Sequence, residues 1–164
     1  MGIEQLKVGD QVFHPMYGFG VVEGTITRDQ SGQAADYYGV RLSVGGVLSV
    51  PVARAKMVGL RRVVNGLKNV AVYLRSPAHP LPDNDRQRVV ELKARWQSPQ
   101  PQALAEAVRD LLARSHSRSL TPADKKWLNS ACERLSNEAA RVDAIDVTEA
   151  RAVIQREMDH LKPH

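Results

Sequence analysis

The chain has 164 residues, of which 43% are hydrophobic and 5% aromatic, so its length and composition allow one domain or two small ones. No run of about 18 apolar residues occurs, no basic and apolar leader opens the chain, and Cys132 is the only cysteine, so we expect no membrane span, no secretory signal and no disulfide framework. The formal net charge of +5 is compatible with an anionic partner such as nucleic acid and equally with ordinary solubility.

The first sixty residues have the pattern of short strands joined by tight turns. A corner rich in proline and glycine at residues 15–20 separates two short apolar segments. We predict further strands at 23–28, 37–44 and 47–52, a polar hairpin loop at 29–35 and a two-residue hairpin turn at Gly45-Gly46. Five short strands with tight turns indicate a small SH3-like or Tudor-like β-barrel.

Beyond residue 60 the spacing of apolar residues changes from two to about 3.6, which is typical of helices. The predicted helices cover residues 66–74, 85–97 and 101–115, and two more begin after Thr121 and Asp146. Three prolines between Ser76 and Pro82 separate the first two helices, because proline cannot continue a helix. Short connections indicate neighbouring helices packed antiparallel in a bundle.

The starts of these helices carry capping signals. Asp83 or Asn84 can cap the second helix, and Thr121, Pro122 and Asp124 form a capping-box pattern for the fourth. The inward-facing residues that we predict include Val89, Leu92 and Trp96 on the second helix and Leu128, Ala131, Leu135 and Val142 on the fourth. The predicted fold class is therefore α+β, with a Tudor-like or SH3-like small β-barrel at 1–62 followed by an all-α helical-bundle domain at 63–164.

No group of residues has the spacing that catalysis or metal binding requires. Cys132 adjoins an inward helix face and is expected to be buried, while His160 and His164 alone share a metal-like spacing at the end of the chain. Gly18-Phe19-Gly20 precedes a strand and not a helix, which favours a turn over a phosphate loop. We therefore expect that the protein is not an enzyme and that it binds neither a cofactor nor a metal ion.

Two surfaces can carry a binding function. An exposed edge strand of the barrel can pair with a strand of another protein. Thirteen Lys or Arg residues and six Asp or Glu residues lie between Arg61 and Lys126, so the positive charge is concentrated in the middle of the chain. The residues that could follow a phosphate backbone there are Arg86, Arg88, Lys93 and Arg95 on one helix and Arg109, Arg114 and Arg118 on the next. An ordinary solvated helix face is the alternative, and the residues alone slightly favour it.

Several segments, taken together, resemble the CarD/CdnL family of bacterial transcription regulators. In chain order they are Val8-Gly9-Asp10, Val12-Phe13-His14-Pro15, Tyr17-Gly18-Phe19-Gly20-Val21-Val22, Tyr37-Tyr38, Val50-Pro51-Val52 and Val58-Gly59-Leu60-Arg61. The resemblance continues through Pro80-Leu81-Pro82 and residues 104–111 and into Leu120-Thr121. It covers nearly the whole chain, more loosely past residue 120.

The resemblance implies a non-catalytic, cytoplasmic and nucleoid-associated protein with two partners. In the family, the Tudor-like domain binds the β subunit of RNA polymerase, in the holoenzyme, through an exposed strand. The helical domain contacts promoter DNA near the upstream edge of the bubble, where a tryptophan enters the minor groove. By this resemblance the polymerase-binding residues are Arg28, Val47, Leu48, Ser49, Val50 and Pro51.

The chain departs from the family at the position of that tryptophan, which Asp85 occupies here. The candidate DNA contacts are Asp85 itself, Arg86, Arg88, Lys93 and Arg114. Trp96 falls on the predicted inward face of its helix, so a core role is favoured, and Trp127 is expected to be partly exposed. An aspartate cannot wedge between bases and repels phosphate, so we expect polymerase binding to survive and the family's stabilisation of the open complex to be weakened or achieved differently.

Three functions therefore remain in competition. The first is a CarD-like, polymerase-binding transcription regulator. The second is a divergent paralogue that acts as a polymerase-binding adaptor or competitor without the DNA wedge. The third is a free Tudor-like peptide or RNA binder, which needs an aromatic cage from Phe13, Tyr17, Phe19, Tyr37 and Tyr38. We expect a monomer, and the sequence leaves open a dimer that exchanges barrel strands as well as the choice between activation and repression.

Overall fold

The computed structural model describes residues 5–163, without the side chain of Gln30. It divides the chain into two compact units, Met1–Val63 and Val64–His164. The first contains the strands and the second the helices, which confirms the predicted α+β fold class. Within the described residues, no helix has the length and apolar character needed to cross a membrane.

The first unit is an antiparallel sheet of five strands in the order β4-β3-β2-β1-β5. The strands are β1 (Gln11–His14), β2 (Gly18–Gln30), β3 (Gln33–Leu42), β4 (Val47–Pro51) and β5 (Arg61–Arg62), with a short 3₁₀ turn at Val52–Arg54. Its core contains Val12, Val22, Tyr38, Val40, Val50, Ala55 and Leu60. Alternate residues of β3 therefore face inward, as the period of two predicts.

Two strands that the sequence predicts as separate form the single strand β2. The predicted strand at 23–28 is continuous with the segment before it, and an irregularity in the pairing at Val22/Gly24 is the only interruption of β2. The predicted loop at 29–35 is also wrong, since β2 and β3 stay paired as far as Gln30 and Gln33. A tight turn at Ser31-Gly32 joins them, with φ of 53° and 80°. These strand ends are exposed wherever their side chains are described, and they carry no alternation of apolar and polar residues from which a strand could be recognised.

The turn between β3 and β4 differs from the prediction as well. It spans four residues, 43–46, and is closed by a bond from the Leu42 N–H to the Gly46 carbonyl. The segment Arg61–Arg62, which lies beyond the predicted strands, pairs with β1 and forms the last strand of the sheet. Gly20 is needed for space, because a Cβ there would lie 2.6 Å from Val40 Cγ1 and 2.8 Å from the Arg41 carbonyl oxygen.

The second unit contains five helices within the described residues. They are α1 (Leu67–Arg75), α2 (Asp85–Gln97), α3 (Ala103–Arg114), α4 (Pro122–Asp143) and α5 (Val147–Leu161). Asn84 caps α2, and Thr121 and Asp124 form the predicted capping box of α4. The core draws on all five helices, and α3 lies at its centre with nine of its twelve residues buried.

Two predicted core positions are wrong. Val89 and Val142 are both exposed, whereas Leu92, Leu128, Ala131 and Leu135 are buried as predicted. On α2 the buried residue of this turn is Arg88 and not Val89, since the Arg88 side chain is only 2% exposed. A buried arginine requires a compensating negative charge. The spacing of apolar residues along one helix does not show whether another segment supplies that charge.

Candidate functional site

The first candidate surface is the outer edge of the sheet at β4. Because β4 pairs only with β3, its other side is an edge within the described residues. The Leu42–Gly46 bond establishes that the next facing pair, Arg41 and Val47, is not hydrogen-bonded across the ladder, since antiparallel pairs alternate. Val47 and Ser49 therefore direct their backbone groups away from β3, where a strand of another protein can pair with them.

The side chain of Arg28, on β2, reaches this edge across the face of the sheet that carries Tyr37 and Ser49. Its Nη2 donates to Ser49 Oγ at 3.5 Å, and its guanidinium carbon lies 5.5 Å from the centroid of the Tyr37 ring. We call Arg28, Tyr37 and Ser49 the Arg28 patch. The structure thus brings together two of the residues predicted to bind polymerase, which lie 21 positions apart in the sequence.

The other predicted residues of β4 differ in accessibility. Val47 is 61% exposed, while Leu48 and Pro51 are partly buried. Val50 is only 3% exposed and packs in the core of the sheet. Its side chain therefore forms the inner surface of β4 and takes no part in the outer edge.

The second candidate surface surrounds the start of α2, where most of the basic residues are engaged within the unit. Arg88 makes the largest number of contacts. Its Nε donates to Asp124 Oδ1 at 2.8 Å and its Nη2 to Asp85 Oδ1 at 2.7 Å. Its Nη1 donates to the carbonyl oxygens of Pro82 and Asp83. The expectation that Arg88 lies on a surface open to phosphate is wrong, because it links the start of α2 to the start of α4.

The electrostatics of this pair follow from its burial. The bond to Asp124 raises the pKa of Arg88, although burial opposes this. Burial alone would raise the pKa of Asp124, but the bonds from Arg88 and Thr121 outweigh it and hold that pKa below its ordinary value. Both groups are therefore charged at neutral pH.

Two further arginines are held by Asp83, just before α2. Arg114 Nη1 donates to Asp83 Oδ1 at 2.9 Å, and Arg118 Nη2 donates to Oδ2 at 3.0 Å. The bond from Arg114 keeps the pKa of Asp83 below its ordinary value. Arg114, a predicted DNA contact, is therefore already paired with a carboxylate.

Buried Asp110 neutralises two more basic residues. Its side chain is 0% exposed, and it accepts from Arg95 Nη1 at 3.0 Å and from Arg109 Nε at 2.9 Å. Sequence reasoning missed Asp83, Asp110 and Asp124 as partners of the arginines. Only the capping role of Asp124 and the helix-start position of Asp83 could be recognised, because most of these pairs join residues 15 to 36 positions apart.

What remains open to solvent on α2 is a narrow face. Arg86 and Lys93 are exposed and form no ion pair within the described residues. Val90, at the helical spacing between them, is 68% exposed. The side chain of Asp85 is 79% exposed even though Arg88 holds one of its oxygens. Of the predicted DNA contacts, Asp85, Arg86 and Lys93 are therefore accessible, Arg114 is paired and largely buried, and Arg88 is buried.

Other predicted chemistry has a definite place in the structure. Phe13 and Tyr38 are buried, so neither ring can contribute to the aromatic cage that a free Tudor-like peptide or RNA binder needs. Cys132 is buried as predicted, and burial raises the pKa of its thiol. Among the residues that the structure describes, no cluster of His, Cys, Asp and Glu has the arrangement of a metal site.

Comparisons with known proteins cover both units. The model of the CarD-like/TRCF RID domain matches residues 6–64, and that of the CarD C-terminal domain matches residues 69–155. The chain is similar to the Bacillus subtilis (strain 168) protein named "Putative transcription factor YdeB", at 24% identity over 147 residues, which covers 85% of this chain and 93% of that protein. A solution NMR structure of the 72-residue N-terminal domain of Myxococcus xanthus CarD has 28% identity and a TM-score of 0.31, and covers 38% of this chain and 84% of that one.

Proposed function

The chain belongs to the CarD family, which points to a transcription factor and not an enzyme, and from this premise we propose that it regulates transcription by binding the β subunit of RNA polymerase and acting on the promoter open complex. The observation that supports this best is the Arg28 patch beside the free edge of β4. An exposed strand provides backbone hydrogen bonds, and the adjacent cation selects a partner strand with an acidic neighbour. The protein would act in the cytoplasm, at the nucleoid, as a monomer.

Co-migration of the full chain with its own RNA polymerase holoenzyme tests this proposal. We expect a complex on size-exclusion chromatography at micromolar concentration, with one copy of the chain for each polymerase by light scattering. The separate β subunit should also retain the chain. The absence of a complex under both conditions would overturn the proposal. A free chain that elutes as a dimer would instead indicate that β4 pairs with a second copy.

The DNA-contacting face that we propose is formed by Arg86 and Lys93 on α2, with Arg114 close by. Arg86 and Lys93 lie seven positions apart, so they are two turns apart on one exposed face. Asp83 limits this face, because its carboxylate occupies Arg114 and Arg118 in the manner of a phosphate. Neutral Asn at position 83 would leave both guanidinium groups available to DNA.

We therefore expect Asp83→Asn to raise the affinity of the chain for promoter DNA several-fold at low salt. The plot of log affinity against log salt concentration should become steeper by about 1 to 2, because one or two more phosphates are neutralised. Fluorescence anisotropy with labelled duplex at several salt concentrations measures both quantities. Asp36→Asn, which removes an exposed carboxylate from the sheet, is the matched control. Equal slopes for Asp83→Asn and the parent would show that Arg114 and Arg118 do not reach DNA.

A second function, a polymerase-bound adaptor or competitor without wedge activity, is favoured by Asp85. This residue stands where the family carries its wedging tryptophan, and its exposed charge repels phosphate. Separating stacked bases costs a few kcal/mol per step, which an apolar ring offsets and a carboxylate does not. We expect Asp85→Trp to lengthen the lifetime of the promoter open complex at least several-fold, as measured by competitor challenge with polymerase saturated by the chain. An unchanged lifetime at full occupancy would contradict the wedge argument, and Asp85→Asn serves as the control for loss of charge alone.

A further inference from the structure

An open groove runs between the end of α2 and the start of α4 in the helical unit. It has a volume of about 310 Å³ and is lined by Trp96, Ala123, Lys126, Trp127 and Ser130. The four residues from α4 recur at the spacing of one helix face, and Trp96 forms the opposite side. We call this the tryptophan groove.

The two indole rings are fixed in place before any ligand arrives. Their centroids are 5.9 Å apart with an interplanar angle of 70°, which is an edge-to-face contact. Both rings are partly buried against the helical core. The guanidinium of Arg134 lies 4.8 Å from the centroid of the Trp96 ring, and its Nη1 donates to the Trp96 carbonyl oxygen. The groove therefore offers a preformed aromatic surface, and its side chains lose little conformational entropy when a ligand binds.

The rim of the groove is positively charged and not neutralised from within. Lys126 lines the groove and Lys125 adjoins it in the chain; both are exposed, and neither forms an ion pair within the described residues. They lie near the N-terminus of α4, where the helix dipole adds to their positive potential. Arg88, Arg114 and Arg118 behave differently, since the carboxylates of Asp124 and Asp83 hold them. Charge complementarity therefore favours an anionic occupant.

We propose that the tryptophan groove binds an unpaired nucleotide of single-stranded nucleic acid, with the base against the indole rings and its phosphate near Lys126. Aromatic surfaces with adjacent cations bind single strands because every base has a π-face, and each stacked base contributes about 1–3 kcal/mol. A duplex keeps its bases stacked inside and cannot use the rings. An apolar groove without the lysines would suit a peptide equally well, and the uncompensated charge decides for the nucleotide. This site goes beyond the proposed function and does not require polymerase binding.

Intrinsic fluorescence of the full chain tests the proposal directly. Trp96 and Trp127 are the only tryptophans of the sequence, so tryptophan emission reports on this groove alone. Titration with a short oligothymidylate is expected to quench the emission, and an abasic oligonucleotide of equal length should bind at least fivefold more weakly. Equal binding of the two would overturn the proposal, since it would mean attraction to phosphate only. So would quenching by an acidic aromatic peptide with no response to oligothymidylate, which would mark the groove as a protein-docking site.

Variants of Lys126 and Trp127 separate the contribution of the positive charge from that of base stacking. Lys126→Glu should weaken oligothymidylate binding at least fivefold, whereas Lys68→Glu, the same change at an exposed lysine of α1, should not. Trp127→Leu keeps an apolar side chain but removes the ring, and we expect it to abolish the preference over the abasic strand, with circular dichroism confirming the fold. Retention of that preference by Trp127→Leu would count against base stacking. Arg28→Glu, in the other unit, should bind the oligonucleotide normally, which distinguishes failure here from failure of polymerase binding.

Discussion

Replacement of Asp124 by alanine is expected to lower the free energy of unfolding of the helical unit by about 3–5 kcal/mol. The reason is the positive charge of Arg88, which stays buried when Asp124 is removed. The Arg88 side chain is 2% exposed and its Nε bonds to Asp124, so the variant buries a guanidinium that has lost its principal counter-ion. Asp85 alone stays paired with it, and that carboxylate is mostly exposed to water and correspondingly weak as a partner.

Urea denaturation followed by tryptophan emission measures this loss, because both tryptophans belong to the helical unit. Asp124 also completes the capping box of α4, so Thr121→Ala is the control for the cap, at a cost of about 1 kcal/mol. The double variant Arg88→Met/Asp124→Ala should recover much of the loss, because no buried charge is left unpaired. A loss of less than 1 kcal/mol in Asp124→Ala, or strictly additive single losses in the double variant, would contradict this account.

The same pair predicts how stability depends on pH. The pKa of Asp124 is lower in the folded than in the unfolded chain, so the unfolded chain takes up the proton first as pH falls. The stabilisation is complete above the ordinary pKa of an aspartate and is lost as the pH falls through the folded-state pKa. Asp124→Ala should therefore differ most from the parent near neutral pH, and the two should converge in acid.

Charge reversal at Arg28 is expected to reduce the affinity of the chain for RNA polymerase by about 100-fold or more. Glutamate there removes the contacts to Ser49 Oγ and to the Tyr37 ring and repels an acidic partner at the free edge of β4. Truncating a buried interfacial charge pair typically costs about 2–5 kcal/mol, and reversal adds repulsion to that. The fold should be unaffected, because Arg28 is exposed and lies outside the core of the sheet.

Surface-immobilised holoenzyme with the chain in solution measures this effect. Lys56→Glu makes the same change of charge at an exposed lysine outside β4 and should bind like the parent. Arg28→Lys keeps the charge without the planar group and should fall between the two. If Arg28→Glu bound as well as the parent, the complex would use another surface, and the outer edge of β4 would have to be tested by Ser49→Pro.

Sequence periodicity failed in the part of the sheet where the side chains of both faces are exposed. The alternation of Tyr38 and Val40 is visible because one face of β3 is buried, and the structure confirms it. Residues 29–36 are exposed wherever their side chains are described, so nothing in their order distinguishes a long hairpin from a loop. The hairpin is identified only by its continuous pairing and by the turn at Ser31-Gly32.

Local sequence patterns were enough to predict the CarD-family resemblance, the α+β class, the start of α2 at Asp83 or Asn84 and the start of α4 at Thr121. These follow from local rules, because a capping bond joins residues two or three positions apart and an apolar stripe repeats within one helix. Which basic residues are available to a partner depends instead on contacts between distant segments of the chain. Asp124 withdraws Arg88 from solvent, and Asp83 occupies Arg114, across 36 and 31 positions of the chain. The apolar period of one helix carries no information about a charge on another helix. The sequence therefore could not show that Arg88 and Arg114 are neutralised by carboxylates while Arg86 and Lys93 form no ion pair within the described residues.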